Sequence, residues 1–298
     1  MFIIITEHNG WHTQQLSNSL NKHNKKYLLV KVNRISFSID TSTHIHVNDS
    51  ILNIKDIEGI FVRGIPGGTF EEVIYYLNVL HFFELNNITV YNSATSIEKC
   101  VDKARTSLIL SQSKINCPKT YMTSNIKSFN DFVKKSSNKL VSKPIFGSQG
   151  KNLEIIDSNN SHPDYTNLNG VYYTQDFIKN KSDKYEDWRI FVVNNAVVAA
   201  MRREGSSWIN NVAQGADCYL IEANKKMADL AIRASESINV NYAGVDIIED
   251  KNGEYLVTEI NSIPAWQGLQ SVSKETIISD VIVDNFLKIC GEENNTSQ

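Results

Sequence analysis

Asp246, Glu259 and Asn261 are the side chains whose types and spacing most directly suggest chemistry. They lie on two arms rich in β-branched and aromatic residues, 243–249 and 254–261, joined by a polar turn through Asp250, Lys251, Asn252 and Gly253. Arms of that composition around an Asn-Gly turn predict a two-stranded antiparallel hairpin. Side chains alternate faces along a strand, so Glu259 and Asn261 share one. With Glu249 opposite Glu254, Asp246 falls opposite Val257 and joins that face. Three oxygen-bearing side chains then converge among Val, Ile and Leu, which is costly unless a cation or strong donors neutralise them. Two carboxylates and an amide suit a hard ion, Mg²⁺ or Mn²⁺, that keeps waters and shares substrate phosphates. An ordinary exposed hairpin with scattered acids is the other reading, and the hairpin alone does not separate them.

Other residues add to the inventory. Gly147-Ser148-Gln149-Gly150 follows a strand-like run, 139–143, that puts Lys139 and Lys143 on one face and stops at Pro144. A second strand pattern, 153–156, follows, so the glycines read as a hairpin loop. They match neither the phosphate loop ending in Gly-Lys-Ser/Thr nor the three-glycine dinucleotide fingerprint. Their backbone N–H groups could cradle phosphates, with Lys143 adding charge; a plain turn is the alternative. Arg63 comes directly after the strand pattern 59–63 and before Gly64-Ile65-Pro66-Gly67-Gly68. Ligands of open α/β sheets bind beyond such strand ends, where an arginine can hold a carboxylate bidentately; a loop arginine is the alternative. Asp187 and Arg189 share a strand face, Arg202 and Arg203 close the next strand, and Asn210 and Asn211 are adjacent amides in a loop. His44 and His46 alternate on a strand pattern with no third ligand nearby and read as a surface pair.

These residues need elements to position them. Residues 1–95 alternate strand and helix patterns: strand 2–6, helix 11–22, strand 27–32, a polar β-biased stretch, strand 59–63, an apolar-faced helix 71–85 and a short strand at 90–91. That alternation predicts a small α/β domain with a parallel sheet. Helix 96–113, with Ser96 as its N-cap, leads through strand 120–123 and helix 128–135 to the glycine loop. Residues 172–178 are strand-like. Residues 187–193 and 196–203 form a hairpin about Asn194-Asn195. Helix 224–238 precedes the 243–261 hairpin, helix 273–289 closes the fold, and 291–298 read as a frayed polar tail. The expected division is 1–95, 96–170 and 171–298.

Composition narrows the function. Net charge is −3 and charged content 21%, which gives no footprint for nucleic acid or an anionic membrane. No apolar run approaches transmembrane length, and the start lacks a signal peptide's basic region. Cys100, Cys117, Cys218 and Cys290 are far apart without metal or redox spacing, as in a reduced cytoplasmic protein.

The order of parts is diagnostic. A small α/β domain is followed by a helix lysine, a strand lysine, a glycine hairpin, Gln175-Asp176-Phe177-Ile178, an Asp-x-Arg strand, an Arg-Arg strand and the Gly-Val-Asp246…Glu259-Ile-Asn261 hairpin. This resembles the ATP-grasp superfamily, and within it the RimK-like carboxylate–amine ligases, over nearly the whole chain. The resemblance implies an α/β (α+β) ATP-grasp fold: a pre-ATP-grasp domain, then two α+β subdomains sandwiching ATP. It implies that Lys103 and Lys143 bind nucleotide phosphates under the loop Gly147, Ser148, Gln149 and Gly150. Gln175, Asp176, Phe177 and Ile178 receive adenine, and Asp187 lies near the ribose. Asp246, Glu259 and Asn261 hold Mg²⁺ or Mn²⁺, as two ions. Arg202, Arg203 and Asn211 are implied for catalysis, and Arg63 and Asn210 for substrate.

The family chemistry activates a carboxylate as an acyl phosphate, which an amine then displaces. Lys103, Lys143, Arg202 and the metal supply charge where the phosphates gather it. Expected partners are a small-molecule or peptide carboxylate and an amino-acid donor, glutamate favoured; self-association is left open. Where protein-directed members carry basic residues around the loop asparagine, this chain has Ile209, Ala213 and Gln214. Residues 263–270, with Trp266, resemble members that extend a small cofactor, such as the pterin glutamate ligases. The alternatives are a peptide-modifying ATP-grasp enzyme that crosslinks or extends tails, a nucleotide-binding module without turnover, and a kinase or nicotinamide enzyme. The intact carboxylate pair argues against loss of turnover, and the missing dinucleotide fingerprint against nicotinamide.

Overall fold

Short β-branched strands alternate with amphipathic helices along the chain, and they assemble into two units. A computed structural model describes residues 1–296 apart from 148–149, 160–167, 181, 183, 211 and 213–214. One unit comprises 1–98, 240–242 and 263–298; the other comprises 99–239 and 243–262.

The first unit is built on β1 (Phe2–Ile5), β2 (Tyr27–Val30), β6 (Gly59–Val62) and β7 (Val90–Tyr91), in the order β2-β1-β6-β7 and all parallel. Phe2, Ile3, Ile4 and Ile5 are all buried, as expected of a parallel strand covered on both faces. α1 (Trp11–Lys22) and α2 (Phe70–Leu85) connect these strands. Thr69 and Glu72 form a reciprocal capping box at the start of α2, and Val79, Leu80 and Phe83 carry it into the core. The polar stretch is a separate antiparallel sheet of β3 (Ile35–Ile39), β4 (Thr43–Val47) and β5 (Ser50–Leu52). His44 and His46 sit on β4 and bond Ser42 and Ser38.

The expected closing helix 273–289 divides differently. α7 (Gln267–Val272) is followed by α8 (Ile278–Thr296), with Gln270 bridging them: its Nε2 donates to the Ser273 and Thr276 carbonyls and its Oε1 accepts the Ile278 N–H. α8 runs through Gly291 to Thr296, where a frayed polar tail was expected. Phe286 packs edge-on against Phe2 and Phe61.

The second unit opens by correcting the expected helix 96–113. α3 (Ala94–Val101) and α4 (Lys103–Gln112) are distinct helices. Asp102 breaks them: its extended backbone frees its carboxylate to cap the Arg105 N–H at 3.0 Å. The Ser96 N–H is itself capped by Ser93, one turn earlier than expected.

The second unit contains two sheets. β8 (Thr120–Thr123), β9 (Leu140–Lys143), β10 (Glu154–Ile156) and β11 (Tyr172–Asp176) pair antiparallel in the order β10-β9-β11-β8. α5 (Ile126–Lys135) buries Phe129 and Val133 in that sheet's core. The other sheet has the order β14-β13-β12-β15-β16, with β12 (Tyr185–Val193), β13 (Ala196–Gly205), β14 (Asp217–Ile221), β15 (Tyr242–Glu249) and β16 (Tyr255–Asn261). α6 (Lys225–Ile238) is capped by Asn224. Asn194 and Asn195 both have positive φ, the geometry a two-residue hairpin needs.

The β15–β16 register differs from the sequence expectation. Glu249 pairs Tyr255, not Glu254, and Asp246 pairs Glu259, not Val257. The register shifts between Asp246 and Ile247, leaving Thr258 as the extra residue on β16, and its hydroxyl donates to the Asp246 carbonyl at 3.2 Å. The bulge places Asp246 and Glu259 directly opposite one another.

Candidate functional site: a lysine pocket beside an arginine–carboxylate chain

Within the second unit, α4, β9, β11 and β16 bring four polar side chains together. Lys143, at the end of β9, donates to Gln175 Oε1 on β11 at 2.7 Å, and Gln175 Nε2 donates to Thr120 Oγ1 at 3.2 Å. Lys103 opens α4, donates to the Gly147 carbonyl at 2.6 Å and lies 3.9 Å from Glu259. The glycine hairpin is thereby tied to the first turn of α4. Gly150 has φ +69°, a left-handed conformation that favours glycine; Ser148 and Gln149 lie outside the described residues. Lys103, Gln175 and Glu259 line a pocket with Cys100, Thr106, Ser107 and Tyr173. The Tyr173 hydroxyl bonds Ser107 at 2.7 Å.

Charge in this pocket is unbalanced toward cations. Burial brings Lys143 down to about 8; Glu259 opposes the fall and Lys103 adds to it. Two lysines compete for one carboxylate, and a polyanion would relieve both. Past β11, the Asp176 N–H goes to the Lys119 carbonyl and the Phe177 N–H to the Lys139 carbonyl. The Asp176 carboxylate accepts from Asn138 at 3.0 Å. Among the described residues the Ile178 N–H, next in the segment, has no such backbone partner.

A second cluster lies along β12, β13 and β15. Arg189 donates Nε and Nη2 to the two oxygens of Asp246 at 2.8 and 2.7 Å. Arg203 donates Nε and Nη2 to Asp187 at 2.6 and 2.7 Å, and its Nη2 lies 3.2 Å from Asp246. The four form one chain: Asp187, Arg203, Asp246, Arg189. Arg203 is 3% exposed and Asp246 5%. Burial raises Asp187 to about 6 against the pull of Arg203. Burial also acts to raise Asp246, but Arg189 and Arg203 together hold it below the usual carboxylate range. Bidentate pairing of this kind is the strong form of the ion pair.

The donor set fits a hard cation in part. Glu259 has a 35% exposed side chain with Lys103 at the edge of ion-pair range. Asn261 directs its Nδ2 to the Gly244 carbonyl, at the long distance of 3.5 Å, a bond that does not use its side-chain oxygen. Asp246 is the exception, since both its oxygens already accept guanidinium N–H groups. Among the described residues no group of three or more His, Cys, Asp and Glu converges as a metal site, so a cation here would rest on two carboxylates and an amide.

Arg202 and Arg203 point to opposite faces of β13. Arg202 stacks over Tyr219 at 4.9 Å and lies 3.6 Å from Glu186 and 3.5 Å from Glu204, with its Nε buried and without a hydrogen-bond partner among the described residues. Asn210 donates to the Arg203 carbonyl at 2.9 Å and its Oδ1 contacts Gly205, where an added Cβ would meet it at 2.7 Å. Asn211 lies outside the described residues.

Arg63 belongs to the first unit. It follows β6, and its guanidinium lies over the Trp266 ring at 5.3 Å. Its Nε is buried without a hydrogen-bond partner among the described residues, and burial lowers its pKa. His12 Nε2 accepts the backbone N–H groups of Trp266 at 3.1 Å and Gln267 at 3.3 Å, and its ring meets Trp266 edge-on at 4.6 Å. Burial, then Arg63, lowers His12 to about 4, so it is neutral near pH 7. Sequence reasoning assigned no role to His12, Arg189 or Tyr219. Arg189 was visible only as a face-mate of Asp187; the other two gave no signal, because their partners are distant in sequence.

Residues 100–284 match the model of the RimK-like ATP-grasp domain. The chain is also 30% identical, over 97% of its length and 98% of theirs, to the tetrahydromethanopterin:alpha-L-glutamate ligase of Methanococcus maripaludis. This chain is a RimK-like ATP-grasp protein. As a member of that family it is an ATP-dependent ligase forming carbon–nitrogen bonds. An alpha-aminoadipate–LysW ligase of Saccharolobus solfataricus is 30% identical over 62% of the chain and 69% of its own length. The family fold extends to the ATP-grasp ligase associated with ribosomally made peptides in Chryseobacterium gregarium, with TM-score 0.73, 16% identity and 96% of each chain covered. The expected ATP-grasp architecture is therefore the one observed. No described helix is long and apolar enough to cross a membrane.

Proposed function

We propose that this ligase joins the α-amino group of an amino acid, glutamate in first place, to the carboxylate of a small molecule. The observation that carries the reading is the pocket lined by Lys103, Gln175 and Glu259, with Lys143 bonded to Gln175 and Asp246 directly across the hairpin from Glu259. Excess lysine charge beside two carboxylates and an amide suits a nucleotide phosphate chain carrying Mg²⁺ or Mn²⁺. Lys103 and Lys143 bind the phosphates, and the Gly147–Gly150 hairpin with Ser148 and Gln149 closes over them. Residues 175–178 take the adenine and Asp187 lies near the ribose. Asp246, Glu259 and Asn261 hold the metal, with Glu259 able to bridge two ions. The metal supplies compensation for charge gathered at the phosphates.

Arg202 and Asn211 stabilise the oxyanions of the acyl phosphate and of the tetrahedral adduct. Arg63 takes the acceptor's carboxylate: its buried Nε–H lacks a partner among the described residues, and an anion satisfies it. Arg203 and Asn210 shape the donor side through the positions they fix. Similarity to the tetrahydromethanopterin ligase over nearly the full chain supports glutamate as donor and a compact acceptor. A site that pairs a carboxylate rejects neutral amino acids because its donors would be left bare.

The test is release of ADP with each amino acid in turn, a carboxylate acceptor pool being supplied. Glutamate is expected to give the highest kcat/KM. Activity with lysine or a neutral amino acid but none with glutamate removes the donor assignment. AMP in place of ADP removes the acyl-phosphate route.

Lys143 gives a pH test of the nucleotide site. Its pKa of about 8 lies below that of an unfolded lysine, about 10.4. Between those values the unfolded chain holds the extra proton, so this group's contribution to stability rises with pH across that window. Nucleotide binding needs the proton. Above pH 8 ATP binding is therefore accompanied by proton uptake, and affinity falls as pH rises. Calorimetry in buffers of different ionisation enthalpy measures the uptake. Lys143→Ala abolishes it and weakens ATP about tenfold or more, as expected for a lost charged contact. Equal ATP affinity in the variant would assign the phosphates to another lysine.

A further inference from the structure

We infer that Arg189 is a positioning residue that serves as the resident counter-ion of Asp246, so that the site binds its divalent cation strongly only when a nucleotide brings it. The inference rests on the metal assignment proposed above. Three features of the second unit carry it. Arg189 covers both oxygens of Asp246 at 2.8 and 2.7 Å, and Arg203 adds a third contact at 3.2 Å, at a carboxylate only 5% exposed. The charge count of the cluster is already cationic: Asp187, Asp246 and Glu259 face Lys103, Lys143, Arg189 and Arg203. The carboxylate left more open, Glu259, is the one whose nearest cation, Lys103, lies as far as 3.9 Å away.

A bare Mg²⁺ or Mn²⁺ arriving at this cluster meets net positive charge, and it must share Asp246 with two guanidinium groups. The electrostatic gain that normally draws a hard cation to a carboxylate pair is thus largely cancelled. Phosphates reverse the balance. They add several negative charges beside Lys103 and Lys143, and the cation then gains ligands from the nucleotide as well as from the protein. Arg189 meanwhile keeps Asp246 in one rotamer, so the carboxylate needs no reordering when the ion arrives.

The sign of the expected effect separates this role from a structural one. Arg189→Met removes the competing charge while retaining much of the side chain's length. Binding of Mn²⁺ to the nucleotide-free protein, followed by electron paramagnetic resonance, is expected to tighten about tenfold in this variant. Arg189→Lys restores the charge and is expected to return affinity to within about threefold of the parent. Damage to the site would weaken Mn²⁺ binding instead, and thermal melts of both variants verify that they fold. Unchanged or weaker binding in Arg189→Met overturns the inference, as does a parent protein that takes Mn²⁺ equally well with and without ADP. Glu259→Gln supplies the separate control. If Mn²⁺ binding in the presence of ADP ignores that substitution, the metal assignment itself falls and the inference falls with it. If binding with ADP does depend on Glu259, the Arg189→Met result alone decides.

Discussion

Glu259→Ala is expected to lower kcat/KM by about a thousandfold, roughly 4 kcal/mol of transition-state stabilisation. Its melting temperature should stay close to that of the parent. The two halves of this expectation have different sources. The Glu259 side chain is 35% exposed and its nearest cation is Lys103 at 3.9 Å, so it holds little of the fold together. It faces Asp246 across the bulged hairpin and lines the same pocket as Lys103 and Gln175, where the proposed metal and phosphates would depend on it. Steady-state ADP release with a thermal melt checks both. Activity within tenfold of the parent would show that the ion lies elsewhere.

Arg203→Ala is expected to do the reverse, destabilising the protein by about 3–5 kcal/mol, because it leaves buried carboxylates without their cation. Arg203 is 3% exposed and bonds Asp187 through two atoms while reaching Asp246 with one of them. Its neighbour Arg202 is half-exposed by comparison, stacks on Tyr219 and stands at looser range from Glu186 and Glu204. Arg202→Ala should therefore leave urea unfolding nearly unchanged while lowering turnover. An Arg203→Ala protein of normal stability, with a raised KM for the amino acid alone, would make Arg203 a direct donor ligand.

The contrast between these adjacent arginines also shows where sequence reading stops. Strand alternation puts them on opposite faces, but composition does not say which face is filled. Local signals did read through: the Asn194-Asn195 and Asn252-Gly253 turns, the helix at 224–238 and the parallel run of β-branched strands are all encoded within a few residues. The hairpin's register departs from the alternation by one step at the turn, where Glu249 pairs Tyr255, and by a second step at Asp246, because a bulge leaves no mark in a pattern of alternating residues. Thr258 looks like any strand threonine. The Asp102 break was hidden by residues that all tolerate helix on either side. β14 was missed because its segment follows a polar loop and its Tyr219 and Leu220 are exposed, which removes the burial signal.

The site itself was legible as a list and not as a network. Lys103, Lys143, Gln175 and Glu259 were each singled out by the family order of motifs; the structure brings Lys103, Gln175 and Glu259 to one pocket and bonds Lys143 to Gln175. The pairing of Arg189 with Asp246 spans 57 positions in sequence. Nothing in either segment foretells which carboxylate an arginine will choose. That choice depends on sheet order, β12 beside β15, which is a property of the whole fold.

The first unit is assembled from pieces far apart in synthesis. β1, β6 and β7 are made early, yet Phe2 and Phe61 wait for Phe286, Tyr91 waits for Asn285, and the close seat at Gly59 is formed by Cys290. On the ribosome, therefore, the stretch 1–98 emerges with its sheet covered by α2 but without the α8 side chains that pack on Phe2, Phe61 and Tyr91, which come only after nearly all of the remaining chain has been translated. Residues 99–239 and 243–262 cluster as a unit of their own and are available to fold in that interval. The second unit is therefore expected to mature first, and the sheet that begins the chain last. Chains stopped before residue 263 are expected to aggregate, which sedimentation of truncated chains against the full chain checks.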